Sequence, residues 1–153
     1  MDDTFQINIG KTEFREGYNQ GDVDRILSVF DEEGFTDLSE GGASSYGKAS
    51  LEACRLRSKE LFAKYAVTLA VIIIEIVILG DTAYDYGWHE FVLNPRDGNE
   101  MIRKRERYFE LWGKNSSGNW KISLLINNAD VREQMAGQAS HWFLSESRQA
   151  TAS

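Results

Sequence analysis

The chain has few of the residues that usually build metal or disulfide sites. It contains one cysteine, Cys54, and two histidines, His89 and His141, among 153 residues. A single cysteine excludes an internal disulfide and a zinc site built from several thiolates, and it favours a reducing compartment, for which we expect the cytoplasm. The histidines lack the i, i+4 spacing of a helical metal pair, so we expect neither a metal nor a cofactor.

Long apolar runs and excess positive charge are also missing. The apolar stretch 67–79 is interrupted by Glu75 and is too short to span a bilayer, and its β-branched residues predict a buried strand. The opening Met1-Asp2-Asp3 lacks the basic and apolar regions of a secretory signal. A net charge of -7 argues against binding nucleic acid or an anionic membrane, because both require a positive surface. A small apolar or aromatic ligand, neutral or cationic, or another protein is a more suitable partner.

What the chain does contain is enough apolar material for one core, at 42% hydrophobic and 12% aromatic residues. We therefore predict a single domain over 1–130 and a C-terminal extension over 131–153, helical or partly disordered. Helical periodicity comes first and strand alternation follows. The predicted helices are Thr4 to Asn19, a second one capped by Asp22 and ended by Gly34, and Gly47 to Lys64; the predicted strands are Phe35 to Leu38, Ala66 to Leu79, Thr82 to Leu93, Met101 to Trp112 and Trp120 to Asn128.

This order predicts an α+β fold in which three N-terminal helices pack on a curved antiparallel sheet to form a cone with one mouth. Four local motifs strengthen the prediction. They are the break Asn19-Gln20-Gly21-Asp22, the helix opening at Gly47, the turn Gly80-Asp81-Thr82-Ala83, and the hairpin that pairs Tyr108 to Trp112 with Gly118 to Lys121. In their order and spacing these motifs resemble the nuclear transport factor 2-like superfamily, in particular its SnoaL-like and ketosteroid isomerase-like branch. The resemblance covers residues 5–130 and implies an α+β barrel of cystatin-like architecture.

The resemblance also allows a residue-level test of activity. Ketosteroid isomerases use a carboxylate on the first strand, a tyrosine on the first helix and a protonated acid on a later strand. Aligned from the Asn-Gln-Gly-Asp break, the first two positions fall on Leu38 and Phe14, and the third falls near Tyr108. Ketosteroid isomerisation is therefore not expected, although superfamily members include dehydratases, cyclases, transport factors and binding modules.

Strand alternation, read with the same alignment, predicts which side chains line the cone. On the second long strand the even-numbered residues point inward, whereas Asp85, His89 and Phe91 point outward. The predicted ligand-binding residues are Phe14, Tyr18, Leu38, Cys54, Tyr86, Trp88 and Trp112; the candidate catalytic residues are Glu90, Tyr108, Glu110 and Asp37. Such a lining suits an apolar or flat ligand.

Each of these assignments has a structural alternative. Tyr86 and Trp88 can serve as core, and Cys54 as a small buried hydrophobe. Glu90 and Glu110 could act together as acid and base, or one of them could form a cross-strand ion pair with Arg105 or Arg107. Asp37 would need a β-bulge to point inward.

Two functions remain open from the sequence. The first is a small-molecule-binding domain without turnover, and the second is a SnoaL-like enzyme such as an isomerase, cyclase or dehydratase that transfers protons. A peptide-binding interaction module is a third possibility. The outer sheet face is apolar in the last strand, which predicts a homodimer packed sheet to sheet, with His89 on that interface.

Overall fold

The computed structural model describes residues 2–130, which form three helices and a five-stranded sheet. The predicted C-terminal extension lies outside these residues. The elements are α1 (Asp3–Gln20), α2 (Val23–Leu27), β1 (Thr36–Ser39), α3 (Lys48–Lys64), β2 (Tyr65–Leu79), β3 (Thr82–Pro95), β4 (Ile102–Lys114) and β5 (Trp120–Ala129). The predicted order of elements is therefore correct, and the second helix is shorter than predicted.

Short polar residues and a glycine set the helix ends, and two of them, Gly21 and Asp22, belong to the break predicted from the sequence. Asp2 caps α1 by accepting a hydrogen bond from the Thr4 amide at 2.8 Å, and α1 ends at Gly21, which adopts a left-handed φ of 66°. Asp22 then caps α2 by accepting a hydrogen bond from the Arg25 amide at 3.0 Å. The tight break lets α1 and α2 pack against each other over the sheet.

The strands lie in the order β1-β5-β4-β3-β2, and the sheet is mixed. β2 to β5 form the predicted antiparallel meander, whereas β1 pairs with β5 in parallel. This α+β architecture, with helices on the inner face of a curved sheet, agrees with the predicted fold class.

Two β-bulges decide which side chains face the helices. One lies in β2 between Ile73 and Glu75, and the other lies in β5, where Leu111 pairs with Leu124 and Trp112 with Ile122. An extra residue reverses the alternation of the strand beyond it. In β5 the buried residues before the bulge are therefore even-numbered, Trp120 and Ile122, and the buried residue after it is odd-numbered, Leu125.

Gly87 makes the first bulge possible. A Cβ atom added to Gly87 would lie 1.9 Å from the Ile72 carbonyl oxygen, so no side chain fits where β3 crosses the bulged part of β2. The odd-numbered residues on either side of Gly87 face the helices and are buried. The inner face of β3 is thus formed by Ala83, Asp85, His89, Phe91 and Leu93.

Candidate functional site

A cavity of about 260 Å³ lies between the helices and the inner face of the sheet. Its walls combine aromatic side chains with aliphatic and charged ones. Phe14 packs edge to face on Tyr18 with ring centroids 5.0 Å apart, and Phe30 stacks on Phe35 at 4.0 Å. The cavity is at the small end of the range for ligand pockets, so it suits a compact apolar or aromatic molecule.

His89 on β3 supplies the imidazole of this cavity. It is buried, and its Nδ1 atom lies 3.1 Å from Oε1 of Glu106, the residue directly opposite on β4. Its Nε2 atom is buried and has no hydrogen-bond partner among residues 2–130. A carboxylate on one ring nitrogen fixes the tautomer in which the other nitrogen carries a lone pair. The pair therefore has the arrangement of a general base held by an acid.

Burial lowers the pKa of His89 below its ordinary value of 6.5, and the Lys11 ammonium acts in the same direction. The hydrogen bond to Glu106 opposes this shift. The imidazole is therefore neutral at pH 7, as a base must be before it accepts a proton.

Asp37 on β1 is the second acid of the cavity. It is buried, and its Oδ2 atom accepts a hydrogen bond from Arg57 at 2.6 Å, while Oδ1 accepts from the amide and the hydroxyl of Ser39. No bulge is needed, because regular alternation already turns Asp37 inward and places its neighbour Leu38 outside the cavity lining. With both oxygens occupied, Asp37 is arranged to hold Arg57 rather than to accept a proton.

Tyr18 adds a hydroxyl to the same cavity. Burial raises the pKa of its phenol well above the ordinary value, so the hydroxyl keeps its proton. The Arg57 side chain is about half exposed and reaches the cavity from α3. These two donors, together with Lys104 from β4, are among the groups able to face negative charge that forms on a ligand.

A cluster of buried polar side chains lies beside the cavity. The Lys11 ammonium on α1 is 2.5 Å from Oε2 of Glu110 and 3.1 Å from Oδ2 of Asp85. Asp85 also accepts hydrogen bonds from the Tyr108 hydroxyl at 2.8 Å and the Trp112 indole at 2.7 Å. Both carboxylates are fully buried, so their charges depend on these partners.

The cluster holds two carboxyl groups and one ammonium. Burial and the neighbouring Asp85 raise the pKa of Glu110 to about 8, against the opposing effect of Lys11. The pKa of Asp85 is lowered, because Lys11 and its other hydrogen-bond partners outweigh the cost of burial. One proton thus stays on Glu110 at neutral pH, and Asp85 carries the single negative charge that balances Lys11.

The predicted site residues fall in three places. Four of them line the cavity: Phe14, Tyr18, Asp37 and Cys54. Three others, Tyr108, Glu110 and Trp112, face inward as predicted, but they are buried in the polar cluster and are not among the residues that line the cavity. The third group, Tyr86, Trp88 and Glu90 on β3, lies on the outer face; the remaining residue, Leu38 on β1, lies outside the cavity lining.

The predicted orientation of β3 is wrong by one residue. Tyr86, Trp88 and Glu90 point away from the helices. Glu90 forms the alternative ion pair with Arg105, at 2.9 Å. Tyr86 donates to Glu75 at 3.0 Å, and Trp88 donates to Asp130 at 3.1 Å. His89, predicted to lie on the outer face, is inside.

Sequence reasoning missed three residues of the site, namely Lys11, Arg57 and Glu106. Lys11 had a visible signal, since it occupies a core-facing position of an amphipathic helix where a charge must have a buried partner. Glu106 lies in a run of charged residues, 103–107, and no local feature sets it apart from its neighbours. Nothing in the sequence distinguishes Arg57 from the other basic residues of α3.

The comparisons with known proteins bear on the fold. No protein-family model and no curated protein matches the chain. Among solved structures, a conserved protein from Planctomyces limnophilus is similar with a TM-score of 0.72 and 16% identity, covering 84% of this chain and 98% of its own. A ketosteroid isomerase-like protein from Erwinia carotovora follows with a TM-score of 0.68 and 15% identity, covering 80% and 92%.

A third similar structure is a protein from Novosphingobium aromaticivorans described as nuclear transport factor 2-like with a cystatin-like fold. Its TM-score is 0.65 at 15% identity, over 90% of this chain and 87% of its own. The chain therefore shares the α+β fold of these proteins, which is the fold that the resemblance in the sequence implied. At these identities the likeness establishes the fold and leaves the activity to the residues of the site.

No helix in the described part of the chain is long and apolar enough to cross a membrane. Residues 2–130 also contain no group of three or more histidine, cysteine, aspartate or glutamate side chains that could hold a metal ion.

Proposed function

We propose that the cavity binds a small, mostly apolar or aromatic molecule and that His89 removes a proton from it, as in an isomerase or a lyase. The observation that supports this proposal is the imidazole itself: it lines the cavity, its Nδ1 atom is held by Glu106, and its Nε2 atom has no partner in the described chain. A buried nitrogen without a partner is costly unless a ligand uses it.

In the proposed step Nε2 of His89 accepts a proton from a carbon atom of the bound molecule, and the electron pair left behind moves into the molecule. The imidazolium formed is stabilised by the Glu106 carboxylate. The negative charge on the molecule faces the Tyr18 hydroxyl and the Arg57 guanidinium. Return of the proton to another carbon gives isomerisation, and loss of a leaving group gives elimination.

The names of similar structures are compatible with this chemistry. They include the ketosteroid isomerase-like protein and a hexachlorocyclohexane dehydrochlorinase from Novosphingobium barchaimii, with a TM-score of 0.67 and 15% identity. Both names describe reactions that can begin with removal of a proton from carbon. Ketosteroid isomerisation itself stays disfavoured, because Phe14 stands where the resemblance places the tyrosine, and Asp37, the inward carboxylate of β1, is held by Arg57.

A flat carbon acid provides the experimental test. The Kemp substrate 5-nitrobenzisoxazole loses one carbon-bound proton to a base, and ring opening releases a coloured phenolate. We expect a protein-dependent rate above buffer that rises with pH through the pKa of His89, which burial holds below 6.5. A rate that is zero, or equal in wild type and His89→Gln, contradicts the proposal. Glu60→Gln, an exposed change on α3, is the matched control.

Binding without turnover is the second candidate, favoured by one observation. None of the four sequence-predicted catalytic residues presents a free acid or base to the cavity, since Asp37 is held by Arg57 and the other three lie elsewhere. Retained binding of the Kemp substrate by calorimetry, with no His89-dependent rate, supports this candidate over the enzyme.

We also propose that the outer sheet face joins two copies of the chain. Tyr84, Tyr86 and Phe109 stack across β3 and β4 on this face, with centroids 5.6 to 6.5 Å apart. Ile72 and Ile74 on β2 are 39% and 50% exposed, which enlarges the apolar area. A self-complementary apolar patch of this kind is typical of a twofold interface.

A further inference from the structure

We propose that Lys11, Asp85 and Glu110 form a proton-sharing cluster that positions His89 through the Tyr108 ring and sets the proton affinity of the imidazole. The inference deepens the proposed function, because it assigns positioning residues to the proposed base. It depends on Lys11, Asp85, Tyr108 and Glu110, which do not line the cavity, and on their contact with His89, which does.

The geometric link is the Tyr108 side chain. Its ring stacks on the His89 imidazole with centroids 4.2 Å apart and planes 9° from parallel. The Lys11 ammonium lies 4.0 Å from the centroid of the same ring. The hydroxyl at the end of the ring donates to Asp85 at 2.8 Å. Tyr108 is therefore fixed at its hydroxyl end by the cluster while its face supports the imidazole.

The electrostatic link is the distance from Lys11 to His89. The two contacts on the Tyr108 ring place the ammonium no more than about 8 Å from the imidazole centroid. Little water separates the two groups, because the Lys11 and His89 side chains are 4% and 1% exposed. A unit charge at this distance, in the effective dielectric of a protein interior, changes the pKa of a neighbour by about one unit.

The charges that act most strongly on His89 come from three elements, while Asp37, Arg57 and Lys104 lie farther along the same cavity wall. Lys11 approaches from α1, Asp85 lies on β3, and Glu106 lies on β4. Lys11 disfavours the imidazolium, whereas Asp85 and Glu106 favour it. Glu110 determines the net charge of the cluster near His89, because its ionisation would add a second negative charge to that of Asp85.

Glu110 also shows that the cluster is not a simple ion pair. Its Oε2 atom contacts Lys11, but its Oε1 atom is buried without a partner in residues 2–130. Asp85 and Glu110 are directly opposite each other on β3 and β4. Two carboxyl groups this close, with one ammonium between them, are electrically balanced when one of them is protonated.

The test is a pH titration of His89 by NMR of its imidazole in the full-length protein without substrate. The chain has only one other histidine, so a His141→Gln variant identifies the His89 signal. We expect Lys11→Met to raise the His89 midpoint by about one pH unit. Lys59→Met, an exposed change on α3, should leave the midpoint unchanged. An unchanged midpoint in folded Lys11→Met overturns the proposal.

Glu110→Gln tests the shared proton, because an amide has the shape of the protonated acid. We expect its His89 midpoint to agree with that of wild type; a shift as large as that of Lys11→Met overturns the proton-sharing cluster. If Lys11→Met does not fold, the NMR signal of the Glu110 carboxyl carbon in wild type is followed against pH instead. A Glu110 carboxyl that is already ionised at pH 6 overturns the proton-sharing cluster. The titration uses no substrate, so it tests the cluster separately from the proposed function. A His89 midpoint that shifts in Lys11→Met, in a protein with no Kemp activity, supports the cluster and contradicts the proposed function.

Discussion

Replacing Glu110 with glutamine should change how the stability of the protein depends on pH. In the folded state burial raises the pKa of Glu110 from 4.5 to about 8, so the folded protein keeps a proton that the unfolded chain releases. Between these two values each increase in pH favours the unfolded state. The stabilisation is complete below pH 4.5 and is lost as the pH rises through about 8.

The size of the effect follows from the linkage relation. One unit of pKa corresponds to about 1.4 kcal/mol, so wild type should lose roughly 4 kcal/mol of unfolding free energy to this group between pH 5 and pH 9. This loss is a large part of the roughly 5–15 kcal/mol that stabilises a typical domain. Glu110→Gln cannot ionise and should lack this loss.

Urea unfolding at several pH values between 5 and 9 measures the effect. The difference between wild type and Glu110→Gln is the informative quantity, because contributions from other groups cancel in it. His89, for example, has a lowered pKa and contributes with the opposite sign. Glu60→Gln, which is exposed, should follow wild type at every pH. Parallel curves for wild type and Glu110→Gln would refute the assignment of a buried proton to Glu110.

Two further changes test the backbone and the outer sheet face. Gly87→Ala should prevent folding or cost several kcal/mol of unfolding free energy in urea, because its Cβ atom would lie 1.9 Å from the Ile72 carbonyl oxygen. The control Gly113→Ala places a Cβ atom with nothing within 4 Å and should be tolerated. Equal stabilities of the two variants would argue against the bulge. Phe109→Asp should convert the proposed homodimer to a monomer in light scattering, while Lys59→Asp should not; a wild-type monomer at micromolar concentration would exclude the dimer.

The parts of the fold that local chemistry determines were predictable from the sequence. Gly21 has the left-handed conformation that ends α1, and Asp22 caps α2, so the break that supported the family resemblance is real in three dimensions. The order of strands followed from alternation and polar turns. These signals extend over a few residues and do not depend on tertiary contacts.

The inner face of β3 was not predictable in the same way. Aromatic residues at even positions looked like a pocket wall, and the odd positions contained Asp85 and His89, which are unfavourable to bury alone. Asp85 is buried because Lys11, Tyr108 and Trp112 supply partners from α1 and β4, and His89 is buried beside its partner Glu106 on β4. Only the folded structure brings those partners together, since they are far apart in the sequence.

The same limit applies to the proposed base. Alternation placed His89 on the wrong face, and its partner Glu106 was one of several charged residues in β4 with no local feature that set it apart. Asp37, a candidate from the sequence, does line the cavity, but its ion pair with Arg57 depends on how α3 packs over β1.

The tautomer of His89 tests the central claim most directly. Nitrogen-15 NMR of the imidazole at pH 7.5 reports which nitrogen carries the proton. We predict a neutral ring in which Nδ1 donates to Glu106 and Nε2 keeps its lone pair. An imidazolium, or a neutral ring protonated on Nε2, would contradict the assignment of His89 as the base.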